Sequence, residues 1–178
     1  MADDKLYGVL AEFTDPAALF TACEQVRDQG FKNWDAHTPY PVHGLDGAMG
    51  MKPSSVPWIA LVSGLSGAAG GFLLQTWVSV SAWPLVISGK PLFAWQAFVP
   101  VTFECGVLAA ALGALIGMLF LNRLPMHYNP LFSSARFEAA SDDRFFISIE
   151  ASDPSFDAEQ TGSFLEGLGA SHVELVKE

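Results

Sequence analysis

Charge is missing from this sequence over one long stretch. Between Pro53 and Asn122 only Lys90 and Glu104 carry a formal charge, and Trp58–Ala82 and Cys105–Leu121 carry none. Soluble helices of that length normally keep a polar stripe, so the absence argues against a hairpin buried in a water-soluble fold. Basic residues are scarce everywhere: 9 Lys and Arg stand against 19 Asp and Glu, a net charge of −10. Phosphate backbones would be repelled by that balance, which argues against nucleic acid as a partner. Cysteine is nearly absent. Cys23 and Cys105 form no CxxC, no zinc spacing and no haem attachment motif, and both read as buried free thiols. The opening MADDKLYGVLAEF lacks the basic and apolar regions of a secretory signal, so the first 50 or so residues are expected to stay in the cytoplasm. Phosphate loops, GxGxxG, a supportable Ser–His–Asp pattern, and haem or iron–sulfur motifs are all lacking, so no catalytic centre, cofactor or metal is expected within this chain.

What is present fills the uncharged stretch. A helix needs about 20 mostly apolar residues to cross the hydrocarbon core. The run from Pro53 to Asn122 holds two such segments, expected at 58–82 and 97–121. Pro84, Gly89, Lys90 and Pro91 break it in the middle, and Trp83 and Trp95 bracket the break, as suits indole rings at a membrane–water interface. Both termini then fall on one side. Lys52 and Arg123 flank the hairpin there and Lys90 lies opposite, which agrees with a cytoplasmic assignment. Within the spans Ser63, Gly67 and Gly71, Ser66 and Gly70, Gly106, Ala110 and Ala114, and Gly113 and Gly117 each recur at four-residue spacing. Small residues so spaced let helices approach closely. Gly67, Gly71, Gly113 and Gly117 are therefore helix-packing candidates, either between the two spans or toward other membrane subunits.

The flanks, 1–52 and 123–178, read as one small acidic domain. Leu6–Phe13 alternates as a strand, with Tyr7, Val9, Ala11 and Phe13 on one face. Asp15-Pro16 opens a helix with Leu19, Cys23 and Val26 inward, and Gly30 stops it. Asn33–Thr38 is a short second strand. The Pro- and Gly-rich His37–Pro57 follows as a connector long enough to be functional or docked on a partner. Beyond the spans, Ser133–Ser141 has no clear pattern, and Arg144–Ala151 is a strand. Asp153-Pro154 echoes Asp15-Pro16, and Asp157 with Gln160 has capping-box spacing ahead of a stripe of Thr161, Phe164, Leu165 and Leu168. Gly169 ends that helix, and Ser171–Val176 is a last strand with Val173 and Leu175 on one face. Strand, helix, strand, twice over, predicts an α+β membrane protein: a ferredoxin-like βαβ-βαβ domain with a two-helix transmembrane hairpin at 53–122 between its halves.

Few residues invite chemistry. Glu104 is the one ionisable group in the spans, about two turns into the second and near the outer interface; a carboxylate there costs a few kcal/mol and marks a functional position by default, for proton handling or for pairing with a neighbouring helix or the hairpin loop. His37, His43, His127 and Arg123 are membrane-interface candidates. Asp142, Asp143, Asp153 and Asp157 read as solvated turn and cap residues.

The strings YGVLAEF, HTPYPVHGLD, VPW, LLQTW, GKPLFAWQAFVPVTFE, NRLPMHYNPLF and DRFFISIEASDPSFD stand in order along nearly the whole chain. Together they resemble the ActD subunit family of bacterial alternative complex III, a quinol:electron acceptor oxidoreductase. The resemblance implies an accessory, non-catalytic subunit of the bacterial inner membrane. It implies no cofactor in this chain, with haem c and iron–sulfur clusters in multihaem cytochrome and iron–sulfur partner subunits. It implies multi-span quinol-oxidising subunits and membrane lipid as neighbours. It carries over no catalytic residue. The alternative from the residues alone is a membrane-tethered small-ligand sensor.

Overall fold

A computed structural model describes residues 5–177. The chain divides into two compact units, one from the flanks up to Lys52 and from His127 onward, the other Pro53–Met126.

The flanking unit is built on a four-stranded antiparallel sheet of β1 (Leu6–Phe13), β2 (Trp34–His37), β3 (Phe145–Glu150) and β4 (His172–Lys177), in the order β2-β3-β1-β4. β1 lies between β3 and β4, so strands from both ends of the chain share one ladder. Gly8 lies tight against β3: a Cβ there would strike the Ile149 carbonyl oxygen. Alternation sorts the side chains. Val9, Ala11, Phe13, Phe145, Ile147 and Ile149 face α1 (Pro16–Asp28) and α5 (Ala158–Gly167), which contribute Leu19, Cys23, Val26 and Leu165 to the same core. Tyr7, expected on this face, instead packs with the opposite cluster beside Leu10; the ladder to β4 shifts register between Leu6 and Gly8. Leu175, expected inward with Val173, is 55% exposed, and Val176 is the buried residue of β4.

The sheet's other face is also covered. Two 3₁₀ turns, Pro130–Ser133 and Phe137–Ser141, lay Leu131 and Phe137 over Leu10, Phe146 and Val176. These turns occupy the stretch whose pattern gave no assignment; a covering layer of two short turns has no long period to detect. Glu12 is buried under them, with its carboxylate paired to Arg136 (2.9 Å) and Arg144 (3.6 Å).

Helix ends depart from the sequence reading in two places. Asp15 holds the N-cap position of α1 without a side-chain cap, so Pro16 starts that helix by its fixed φ alone. Asp153-Pro154 does not start α5 at all. Asp157 does, accepting from Glu159 N–H (3.1 Å) and Gln160 N–H (2.9 Å). The reciprocal bond expected from Gln160 comes from Thr161, whose Oγ1 accepts the Asp157 N–H at 3.2 Å. Asp153 is buried rather than solvated, and binds Lys32 N–H, Asn33 N–H and Ser155 N–H at 2.6, 2.7 and 2.8 Å. Burial by itself would push its pKa up; these N–H groups outweigh that and hold the carboxyl below the ordinary 3.8.

The connector after β2 is not structureless. It contains a short helix, α2 (Leu45–Ala48), whose Leu45 and Ala48 are buried in the core shared with α1. Arg27 latches it: Nη1 donates to the carbonyls of Gly47 (3.2 Å), which also accepts the Gly50 N–H, and Ala48 (3.0 Å) at the end of α2. This segment docks on its own domain.

The second unit is a helical hairpin. α3 (Val56–Trp77) continues as one π turn through Ala82, closed by Trp83 N–H to Val78 C=O at 2.8 Å, and Pro84 then supplies no donor to extend it. At the tip Ser88 and Gly89 both have positive φ, 51° and 72°, and Lys90 N–H reaches Ile87 C=O at 3.1 Å, the geometry of a tight reversing turn. A 3₁₀ turn, Trp95–Phe98, leads into α4 (Val99–Leu121). Arg123 ends α4 at φ 54°, where Leu124 N–H and Arg123 N–H turn back to Leu119 and Phe120 C=O.

Candidate membrane interface

The apolar run folds into two continuous helical stretches, Val56–Ala82 and Trp95–Leu121, each 27 residues and each long and apolar enough to cross a membrane. The chain buries almost none of either stretch. Leu, Val, Ile, Phe and Trp side chains cover the outside of the hairpin, with Trp58, Trp77, Trp83 and Trp95 toward the helix ends and all exposed.

Small residues define the inside. A Cβ on Gly67 would collide with Ala109 Cβ and lie 2.5 Å from the Cys105 carbonyl oxygen. One on Gly71 would lie 2.9 Å from Cys105 Sγ, and one on Gly117 would lie 3.0 Å from Ile59. Gly113 faces Ser63 with no room for a Cβ. All four glycines therefore line the α3–α4 contact, where backbones approach because no side chain intervenes. Gly70 differs: nothing lies within 4 Å of the Cβ it lacks, and with Ser66 it faces away from α4.

Two strongly polar side chains within these stretches have opposite fates. Gln75 turns inward. Its amide nitrogen donates to Gly71 C=O (3.1 Å) and Phe98 C=O (3.1 Å) and reaches Thr102 Oγ1 (3.4 Å). Glu104 turns outward into an apolar groove of about 520 Å³ lined by Val101, Phe103, Val107, Leu108 and Ala111. Among the described residues the Glu104 side chain has no hydrogen bond and no ion pair.

The histidines and the arginine named with the interface have different settings. His37 closes β2; its Nε2 lies 3.0 Å from Ser148 Oγ and its ring stands edge-on to Phe137 at 5.0 Å. Ser148 Oγ also lies 3.5 Å from Asp35 C=O, so a hydroxyl donating there accepts from the Nε2–H of His37. Burial lowers the His37 pKa, opposed by the nearby Asp35 carboxylate. The ring lines an open cavity of about 750 Å³ with Ser134, Glu138 and Ser141. His43, His127 and Arg123 are exposed. Among the described residues no group of three or more His, Cys, Asp or Glu is placed to hold a metal ion. Sequence reasoning missed the Glu12–Arg136–Arg144 group, because both arginines lie more than 120 residues from Glu12 and no local spacing joins them to it.

A family model described as alternative complex III, ActD subunit, matches residues 7–175, nearly the whole chain. No curated protein matches the chain.

Proposed function

Because the chain belongs to the ActD subunit family of alternative complex III, a subunit of a multisubunit respiratory complex, we propose that it is a non-catalytic membrane subunit that braces the quinol-oxidising core. One observation carries the reading: the hairpin uses Gly67, Gly71, Gly113 and Gly117 in α3–α4 packing and still presents an almost wholly apolar outer surface, which lipid and neighbouring membrane subunits must cover. On this reading α3 and α4 are two spans of the bacterial inner membrane, the termini are cytoplasmic, and haem c and iron–sulfur clusters belong to multihaem cytochrome and iron–sulfur partners. The strand order β2-β3-β1-β4, with two helices on one face, supports taking the flanking unit as ferredoxin-like, with the hairpin inserted between its halves. The test is purification from membranes through a tag on this chain. Haem- and iron–sulfur-containing subunits are expected to co-migrate with it; a stable isolated monomer overturns the reading.

A second reading gives Glu104 a part in proton passage, favoured by its position as an unpartnered carboxylate within a span. Its test is Glu104→Gln in the intact complex. Lost proton translocation with unchanged quinol oxidation supports it; unchanged translocation sinks it.

A further inference from the structure

Glu104 is the tenth residue of the Trp95–Leu121 stretch, about 13 Å along the helix from Trp95 at 1.5 Å per residue. If the stretch spans the bilayer, that depth is inside the hydrocarbon. The contrast with Gln75 is informative. The hairpin folds so that three of its own oxygens surround the Gln75 amide, while Glu104, which is harder to bury, receives nothing. An ionised carboxylate left facing lipid at this depth costs about 3 kcal/mol or more, and carboxylates in spans are found paired.

Starting from the reading of this chain as a membrane subunit of the complex, we infer that the outer face of α4 around Glu104 is the seat of a membrane helix from a different subunit. That helix carries a Lys or Arg side chain at the depth of Glu104. Charge complementarity selects the occupant. Lipid tails offer no donor. A second copy of this chain offers no cation there either: Val56–Ala82 contains no charged residue type, and the only one on Trp95–Leu121 is Glu104 itself. A self-pairing of this face would set carboxylate against carboxylate. A foreign basic residue neutralises the charge and donates hydrogen bonds in one contact. The groove has room for it, since Val101, Leu108 and Ala111 flank Glu104 along one exposed face. Ordinary apolar packing then surrounds a single polar lock, which fixes the depth and rotation of the neighbouring helix.

The experiment uses the full chain in its native complex, with a photo-crosslinking amino acid at Leu108, one turn from Glu104 and 62% exposed. The expected product joins this chain to one other subunit, on a membrane helix bearing a Lys or Arg. Glu104→Leu should release this chain from the detergent-purified complex, because the partner's cation is stranded. Replacing that cation with Leu in the Glu104→Leu background should restore retention, since an apolar pair of similar volume substitutes for a buried ion pair. The restored double variant separates loss of pairing from misfolding of the hairpin. Cross-links to lipid alone, to a second copy, or to a helix without a basic residue overturn the inference, as does undiminished retention of Glu104→Leu. Failure of the wild-type chain to co-purify with any respiratory subunit is a different result, and sinks the membership-based reading beneath it.

Discussion

The carboxylate of Asp153 accepts a 2.7 Å hydrogen bond from the backbone N–H of Asn33, 120 residues earlier in the chain. With the Lys32 and Ser155 N–H groups it closes the start of β2 onto the loop after β3, beyond the end of their shared ladder. One buried side chain thereby fastens the first flank of the sequence to the last.

Asp153→Ala leaves those backbone donors without their acceptor. The flanking unit should lose about 2–4 kcal/mol, the scale of stranding buried polar groups. Hydrogen exchange at the β1–β3 ladder of the full chain in detergent checks this; unchanged protection would show that water replaces the carboxylate at no cost.

Acid should weaken the flanking unit in two steps. His37 has a folded pKa below its ordinary 6.5, so the unfolded chain binds the extra proton first. Its contribution is full above about pH 6.5 and declines as the pH falls below that value. Asp153, also lowered in the fold, contributes fully above 3.8 and is lost as the pH falls through its folded pKa. Denaturant midpoints measured from pH 8 to pH 3 should show both declines, and His37→Gln should remove only the upper one.

Gly67→Leu should break the hairpin and Gly70→Leu should not. A side chain on Gly67 meets Ala109 and the Cys105 backbone, whereas Gly70 opens onto empty space. Overpacking of this kind costs about 1–3 kcal/mol or more where backbone is the obstacle. Proximity of spin labels or fluorophores at the two helix ends, measured in detergent, distinguishes them. Equal effects of the two changes would mean that α3 packs through another face.

Cys23 should be chemically silent in the folded chain. Burial, reinforced by the Asp35 carboxylate, pushes its thiol pKa to about 12, and the thiolate is the reactive form. In a Cys105→Ser background, maleimide labelling at pH 7.5 should wait for denaturant. Rapid labelling without it would show that the α1 core opens readily.

Much of this was legible in the residues. The uncharged run from Trp58 to Ala82 and the run from Cys105 to Leu121 announced two long apolar helices, because composition alone decides whether a helix seeks water. The alternating run at Arg144–Ala151 announced β3, though the fold buries both of its faces. What stayed hidden is non-local. Asp153-Pro154 looks like Asp15-Pro16, and only the fold shows that its carboxylate ties a strand 120 residues away. Leu131 and Phe137 belong to no periodic pattern, yet they cap the second face of the sheet. Arg27 gives no local sign that it latches the chain segment at Gly47 and Ala48.

The sequence by itself determined which segments shun water and where they break, since these depend on neighbours within a turn or two. The tertiary structure decided which polar groups find partners: Gln75 is satisfied across the hairpin, Glu12 and Asp153 are satisfied inside the sheet unit, and Glu104 is left facing outward. Hydrogen bonds and ion pairs are directional and short-ranged, so their completion depends on chain segments brought together only by folding.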